Sequence, residues 1–80
     1  MQVIINADDF GMTEGVCAGI VQAIQSGCLT ATTAMACAPG SSERLGRWAR
    51  KIPGSIGAHL QLTSGTPVLP PSEIPSLVDA

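Results

Sequence analysis

The run Val3-Ile4-Ile5 passes through Asn6-Ala7 and stops at two adjacent carboxylates, Asp8 and Asp9, followed by Phe10 and Gly11. A β-branched apolar run of this kind reads as a strand over Val3 to Ala7, buried on both faces as in a parallel sheet. Such a strand has no structural use for paired acids at its end. Each would cost on the order of several kcal/mol to desolvate without a metal, a cation or several donors beside it. In parallel α/β folds the carboxyl ends of the strands carry the chemistry. Asp8 and Asp9 are therefore expected at an active-site edge, the plainer alternative being that either one caps the following turn.

The pattern beyond supports a parallel sheet. Thr13 is placed to cap a helix whose first turn carries Glu14, and Val16, Cys17, Ile20, Val21 and Ile24 form its apolar stripe. Gly15 and Gly19 weaken that helix, and their expected benefit is close approach to the sheet. Gly27 ends it. Leu29 to Ala36 reads as a second strand, followed by the turn signal Pro39-Gly40. A second helix then starts at Ser41 or Ser42, with Leu45, Trp48, Ala49 and Ile52 at i, i+3, i+4 and i+7. Arg44, Arg47 and Lys51 lie on another face that reads as solvated, and Trp48 reads as a packing anchor. Pro53-Gly54 stops the helix, and Ser55 to Leu62 is the third strand, with His59 and Gln61 on the face opposite Ile56, Ala58, Leu60 and Leu62. From Thr63 onward the proline-rich tail reads as an ordered loop whose apolar residues need a surface to cover.

The order β-α-β-α-β, with connections suited to right-handed crossovers, puts the carboxyl ends of the strands on one edge. Asp8, Asp9 and His59, the sole histidine of the chain, converge there. An imidazole nitrogen with carboxylate oxygens is a borderline ligand set that suits zinc, manganese, iron or magnesium. Adjacent acids suit a division of labour, one binding a metal and the other taking a proton from water. Asp9-Phe10-Gly11 spells a kinase metal-binding triplet but lacks the glycine-rich and catalytic-loop sequences that would give it that meaning. Gly11 and Gly15 do not make a dinucleotide fingerprint.

Composition narrows the partners. Six acids against four Lys and Arg residues disfavour a nucleic-acid surface. No apolar run is long enough for a membrane span, and Met1-Gln2 offers no basic region of a signal peptide, so a cytoplasmic location is expected. Cys17, Cys28 and Cys37 have neither disulfide nor zinc-knuckle spacing. They read as reduced thiols, with Cys17 and Cys37 buried.

Asn6-Ala7-Asp8-Asp9-Phe10-Gly11, Gly27-x-Leu29-Thr30-x-Thr32-Thr33, Gly57-x-His59-Leu60-x-Leu62-Thr63 and Gly65-x-Pro67-Val68-Leu69-Pro70-Pro71 together resemble the YdjC-like (ChbG-type) carbohydrate deacetylases. The resemblance runs the whole length of the chain. Members related to hopanoid biosynthesis share much of the pattern, so the subgroup stays open. The resemblance implies an α/β fold in which this parallel β-α-β-α-β segment belongs to a distorted TIM-like barrel of the polysaccharide-deacetylase type. It implies metal-dependent hydrolysis of an N-acetyl group from an amino sugar or chito-oligosaccharide, with a divalent ion such as magnesium or zinc. Asp9 and His59 would then be metal ligands and Asp8 the general base.

The family continues further and supplies another metal-binding histidine downstream. A complete barrel takes roughly 200–250 residues, so residues 1–80 are expected to be the N-terminal part of one such domain. The isolated chain is expected to be inactive and to self-associate as a homo-oligomer that covers its exposed sheet. A non-catalytic module binding sugar or metal, or an inactive self-associating fragment, are the alternative readings.

Overall fold

Strand pairing begins later than the apolar run suggests. A computed structural model describes residues 1–79, with β1 at Asn6–Phe10, α1 at Glu14–Gln25, β2 at Ala31–Ala34, α2 at Ser41–Trp48 and β3 at Ile56–Ala58. Short 3-10 turns occupy Ala49–Lys51 and Pro71–Glu73. The three strands form one parallel sheet in the order β1-β2-β3, as the alternating pattern predicts.

Two helices share one core with one face of that sheet. Phe10, Cys17, Ile20, Val21 and Ile52 are its buried residues, and Ala7, Ala34, Leu45, Trp48 and Ile56 pack against them. Both predicted helical stripes therefore face inward, and Trp48 serves as a packing residue. Thr13 caps α1 by accepting the Val16 amide at 3.1 Å. At the other end, the amides of Gly27 and Cys28 donate to the carbonyls of Ile24 and Ala23, with Gly27 at φ 87°. That is a Schellman ending, which needs a left-handed residue at this point.

Several expectations are corrected. β1 is Asn6–Phe10 rather than Val3–Ala7, so Asp8 and Asp9 lie within the strand. Val3, Ile4 and Ile5 are exposed, because the helices cover only one sheet face and lie beside later residues. β2 and β3 are shorter than predicted; the chain leaves the sheet after His59, and Leu60 and Leu62 are exposed. A Cβ at Gly15 or Gly19 would meet nothing within 4 Å, so neither glycine serves close helix–sheet approach. Cys17 is buried, but Cys37 is exposed in the loop after β2.

Candidate functional site

The two acids owe their placement to an extra residue in β1. Asn6 pairs with Ala31 and Ala7 with Thr32, but the next pair is Phe10 with Ala34, so Asp8 and Asp9 together oppose Thr33. This is a β-bulge. In a regular strand, residues three apart point to opposite faces, yet Ala7 and Phe10 both join the helix-side core. The bulge absorbs the mismatch and sends both acids away from that core. Asp9 takes the left-handed conformation, φ 71°, which Asp and Asn tolerate better than most residues. Gly11 follows at φ 96°, and a Cβ there would sit 2.9 Å from Leu45.

The five polar side chains of the rim come from β1, from β2 and from the residue that follows β3. Asp8 Oδ1 accepts from Asn6 Nδ2 at 3.1 Å and from Thr33 Oγ1 at 3.3 Å. Asp9 Oδ1 lies 3.4 Å from His59 Nδ1, and Thr33 Oγ1 lies 3.5 Å from the same nitrogen. The His59 amide donates to the Ala34 carbonyl at 3.1 Å, which carries the β2–β3 register one residue beyond the strand. The predicted convergence of Asp8, Asp9 and His59 on one edge is thus present. Their surroundings differ: Asp8 meets neutral donors, while Asp9 faces the imidazole.

The spacing of Asp9 and His59 suits a shared cation. At 3.4 Å the pair is longer than an ordinary N–H···O bond. Two donors on one tetrahedral ion, each about 2.0–2.1 Å from it, are separated by about 3.3–3.4 Å. The donor chemistry, one nitrogen and one carboxylate oxygen, fits a borderline divalent metal. Among the described residues no group of three or more His, Cys, Asp or Glu side chains is gathered for a metal. The pair therefore provides two donors where a catalytic metal takes about three protein ligands.

Beside His59 opens a largely apolar cleft of about 540 Å³, bounded by Met35, Leu60, Leu62, Val68 and Leu77. The apolar residues of the proline-rich tail line this cleft instead of closing over a core. Gln61 uses its amide nitrogen on the carbonyls of Thr63 and Ser64, at 2.8 and 3.0 Å, and so shapes its own loop.

The basic face of α2 is not merely solvated. Arg44 Nε donates to the Gly11 carbonyl at 2.8 Å, and another guanidinium nitrogen donates to Met12 at 2.9 Å and to Pro39. One side chain thereby ties the loops that follow β1 and β2. Arg47 pairs with Glu14, and the Trp48 indole donates to the other Glu14 oxygen at 2.9 Å. Those contacts, the Trp48 hydrogen bond foremost, hold the Glu14 carboxyl below its ordinary range. Sequence reasoning missed Asn6, Thr33 and Arg44. For Arg44 no local signal existed, since its partners are carbonyls of distant loops.

The family model described as YdjC-like protein matches residues 2–80. A carbohydrate deacetylase of Enterococcus faecalis is 43% identical, the match covering 98% of this chain and 31% of that relative. Carbohydrate deacetylases of Brevibacillus brevis and Geobacillus stearothermophilus are 40% and 43% identical, covering 99% and 95% of this chain. The chain spans about 30% of the length of the curated relatives it matches. No solved structure matches it.

Proposed function

The chain belongs to the YdjC-like family, and from that premise we propose that it is the N-terminal part of a single-domain, metal-dependent deacetylase of N-acetylated amino sugars or chito-oligosaccharides. The observation that carries this reading is the 3.4 Å approach of Asp9 Oδ1 to His59 Nδ1, with Asp8 next to it on the same rim. Asp9 and His59 would hold the cation, and a further ligand would come from outside the described residues. The complete domain would be a TIM-like barrel, in which this β-α-β-α-β unit supplies the first strands.

A divalent ion such as magnesium or zinc, held by Asp9 and His59, would supply Lewis acidity toward the acetamide carbonyl and water. Asp8 takes a proton from that water as its oxygen bonds to the carbonyl carbon. The same proton passes to the nitrogen as the C–N bond breaks, leaving a free amine and acetic acid, which gives its remaining proton to solvent and departs as acetate. The open cleft beside His59 gives an approach to the rim from the side of the proline-rich tail.

The test uses the complete gene product with chitobiose, the disaccharide of N-acetylglucosamine, and follows acetate release with and without a chelator. Chelator-sensitive release is expected. Release that a chelator leaves untouched, or none at all with added metal, overturns the reading.

A second reading rests on exposure. Ile4, Leu60, Leu62 and Val68 are 79, 88, 78 and 75% exposed, an apolar surface that a separate 80-residue unit would cover by self-association. In that reading the unit is an inactive homo-oligomer or a non-catalytic binding module. Light scattering of the chain by itself decides, and a clean monomer overturns self-association.

A further inference from the structure

The two neighbouring acids differ in their hydrogen-bond partners. Asn6 Nδ2 only donates, and an ionised carboxylate only accepts. The Thr33 hydroxyl donates to Asp8 Oδ1 at 3.3 Å, nearer than its other neighbour, His59 Nδ1 at 3.5 Å, and Asn6 approaches the same Asp8 oxygen at 3.1 Å. Two neutral donors from two strands thus converge on one oxygen of Asp8. Its other oxygen, Oδ2, has no hydrogen-bond partner among the described residues. The Thr33 methyl leans toward β3, where a Cβ on Gly57 would lie 3.8 Å from Cγ2. A β-branched side chain has restricted χ1 freedom, and with the methyl on the β3 side the hydroxyl reaches Asp8 on β1.

We infer that Thr33 and Asn6 are positioning residues, which hold Asp8 by Oδ1 and present Oδ2 as the oxygen that takes the proton. The inference rests on the proposed role of Asp8 as base. Asp8, held by neutral donors, and Asp9, facing His59, have the different surroundings that those proposed roles call for. Thr33 acts only through Asp8. Removing its hydroxyl should therefore change the chemical step and spare cation binding.

The test is made in the complete gene product, with acetate release from chitobiose giving kcat and KM, and Mn²⁺ titration giving cation affinity. Thr33→Val should lower kcat about ten-fold while KM and the Mn²⁺ Kd stay within about two-fold. Thr33→Ser should recover most of the rate, and Asn6→Ala should behave like Thr33→Val. In an Asp8→Asn background, Thr33→Val should cost nothing more. A Thr33→Val effect that persists undiminished in that background, or that falls on Mn²⁺ affinity in place of kcat, overturns the inference and leaves the deacetylase reading standing. A wild type inert toward chitobiose, or an Asp8→Asn variant with unchanged kcat, overturns the reading and the inference together.

Discussion

Asp9 stands on β1 and His59 directly after β3, strands that do not pair with each other, yet Oδ1 of one lies 3.4 Å from Nδ1 of the other. β2 runs between them, and with strands about 4.8 Å apart the outer two backbones lie roughly 10 Å from each other. Side chains bridge that gap across Thr33. The bulge at Asp8 and Asp9 makes this possible, because it puts two successive acids opposite one β2 residue. A one-residue insertion in the ladder is thus the structural origin of the site.

The left-handed backbone of Asp9 predicts how substitutions there divide. Asparagine tolerates φ 71°, so Asp9→Asn should keep the stability of the protein within about 1 kcal/mol. Asp9→Val should cost about 1–3 kcal/mol more, since a β-branched residue is strained in this region. Denaturant unfolding of the two variants checks this, and equal stabilities would contradict it.

Gly11 answers to two constraints at once. At φ 96°, with Leu45 atoms 2.9 Å from the position of an added Cβ, Gly11→Ala strains the backbone and presses on the core. The expected loss is about 2–4 kcal/mol. Trimming the neighbour in Gly11→Ala/Leu45→Ala should remove the steric part, so the two costs should fall short of additive.

Arg44 is predicted to matter for order more than for charge. Its guanidinium satisfies carbonyls of Gly11, Met12 and Pro39, a fork that a lysine ammonium does not reproduce. Arg44→Lys should therefore behave much like Arg44→Ala, each costing about 1–3 kcal/mol. Hydrogen exchange should quicken in the loops after β1 and β2. Full retention of stability in Arg44→Lys would show that only charge is needed.

Glu14 gives the α1–α2 contact an acid dependence. The Trp48 hydrogen bond, and then Arg47, lower its pKa below the ordinary 4.5. The folded state therefore binds this proton less readily than the unfolded chain. The contribution is full above pH 4.5, is lost as pH falls toward the lowered folded value, and is absent below it. Both partners are about half exposed, at 52 and 50%, so solvent and salt weaken it. Glu14→Gln should flatten this limb of the stability–pH curve, and an unchanged limb would contradict the assignment.

What was legible in the sequence follows from periodicity. The helical stripe at Val16–Ile24, the Thr13 cap and the Gly27 ending are local signals that appear as expected. The stripe at Leu45–Ile52 faces the core, but its helix ends at Trp48 and continues as a 3-10 turn over Ala49–Lys51. The parallel order placed Asp8, Asp9 and His59 on one edge. The position of β1 was not legible, because an apolar β-branched run looks the same whether or not a partner covers it. Nor was the bulge, which shows only when β1 is set against β2 and three residues of one are matched to two of the other. The contacts of Asn6 and Thr33 with Asp8 went unread for the same reason, although both residues stand in the quoted motifs.

The most direct test of the account is a Mn²⁺ titration of the complete gene product, wild type against Asp9→Asn and His59→Ala. The account predicts one cation site per chain in the wild type, with affinity falling by at least about ten-fold in either variant. Wild-type affinity retained in both variants would contradict it.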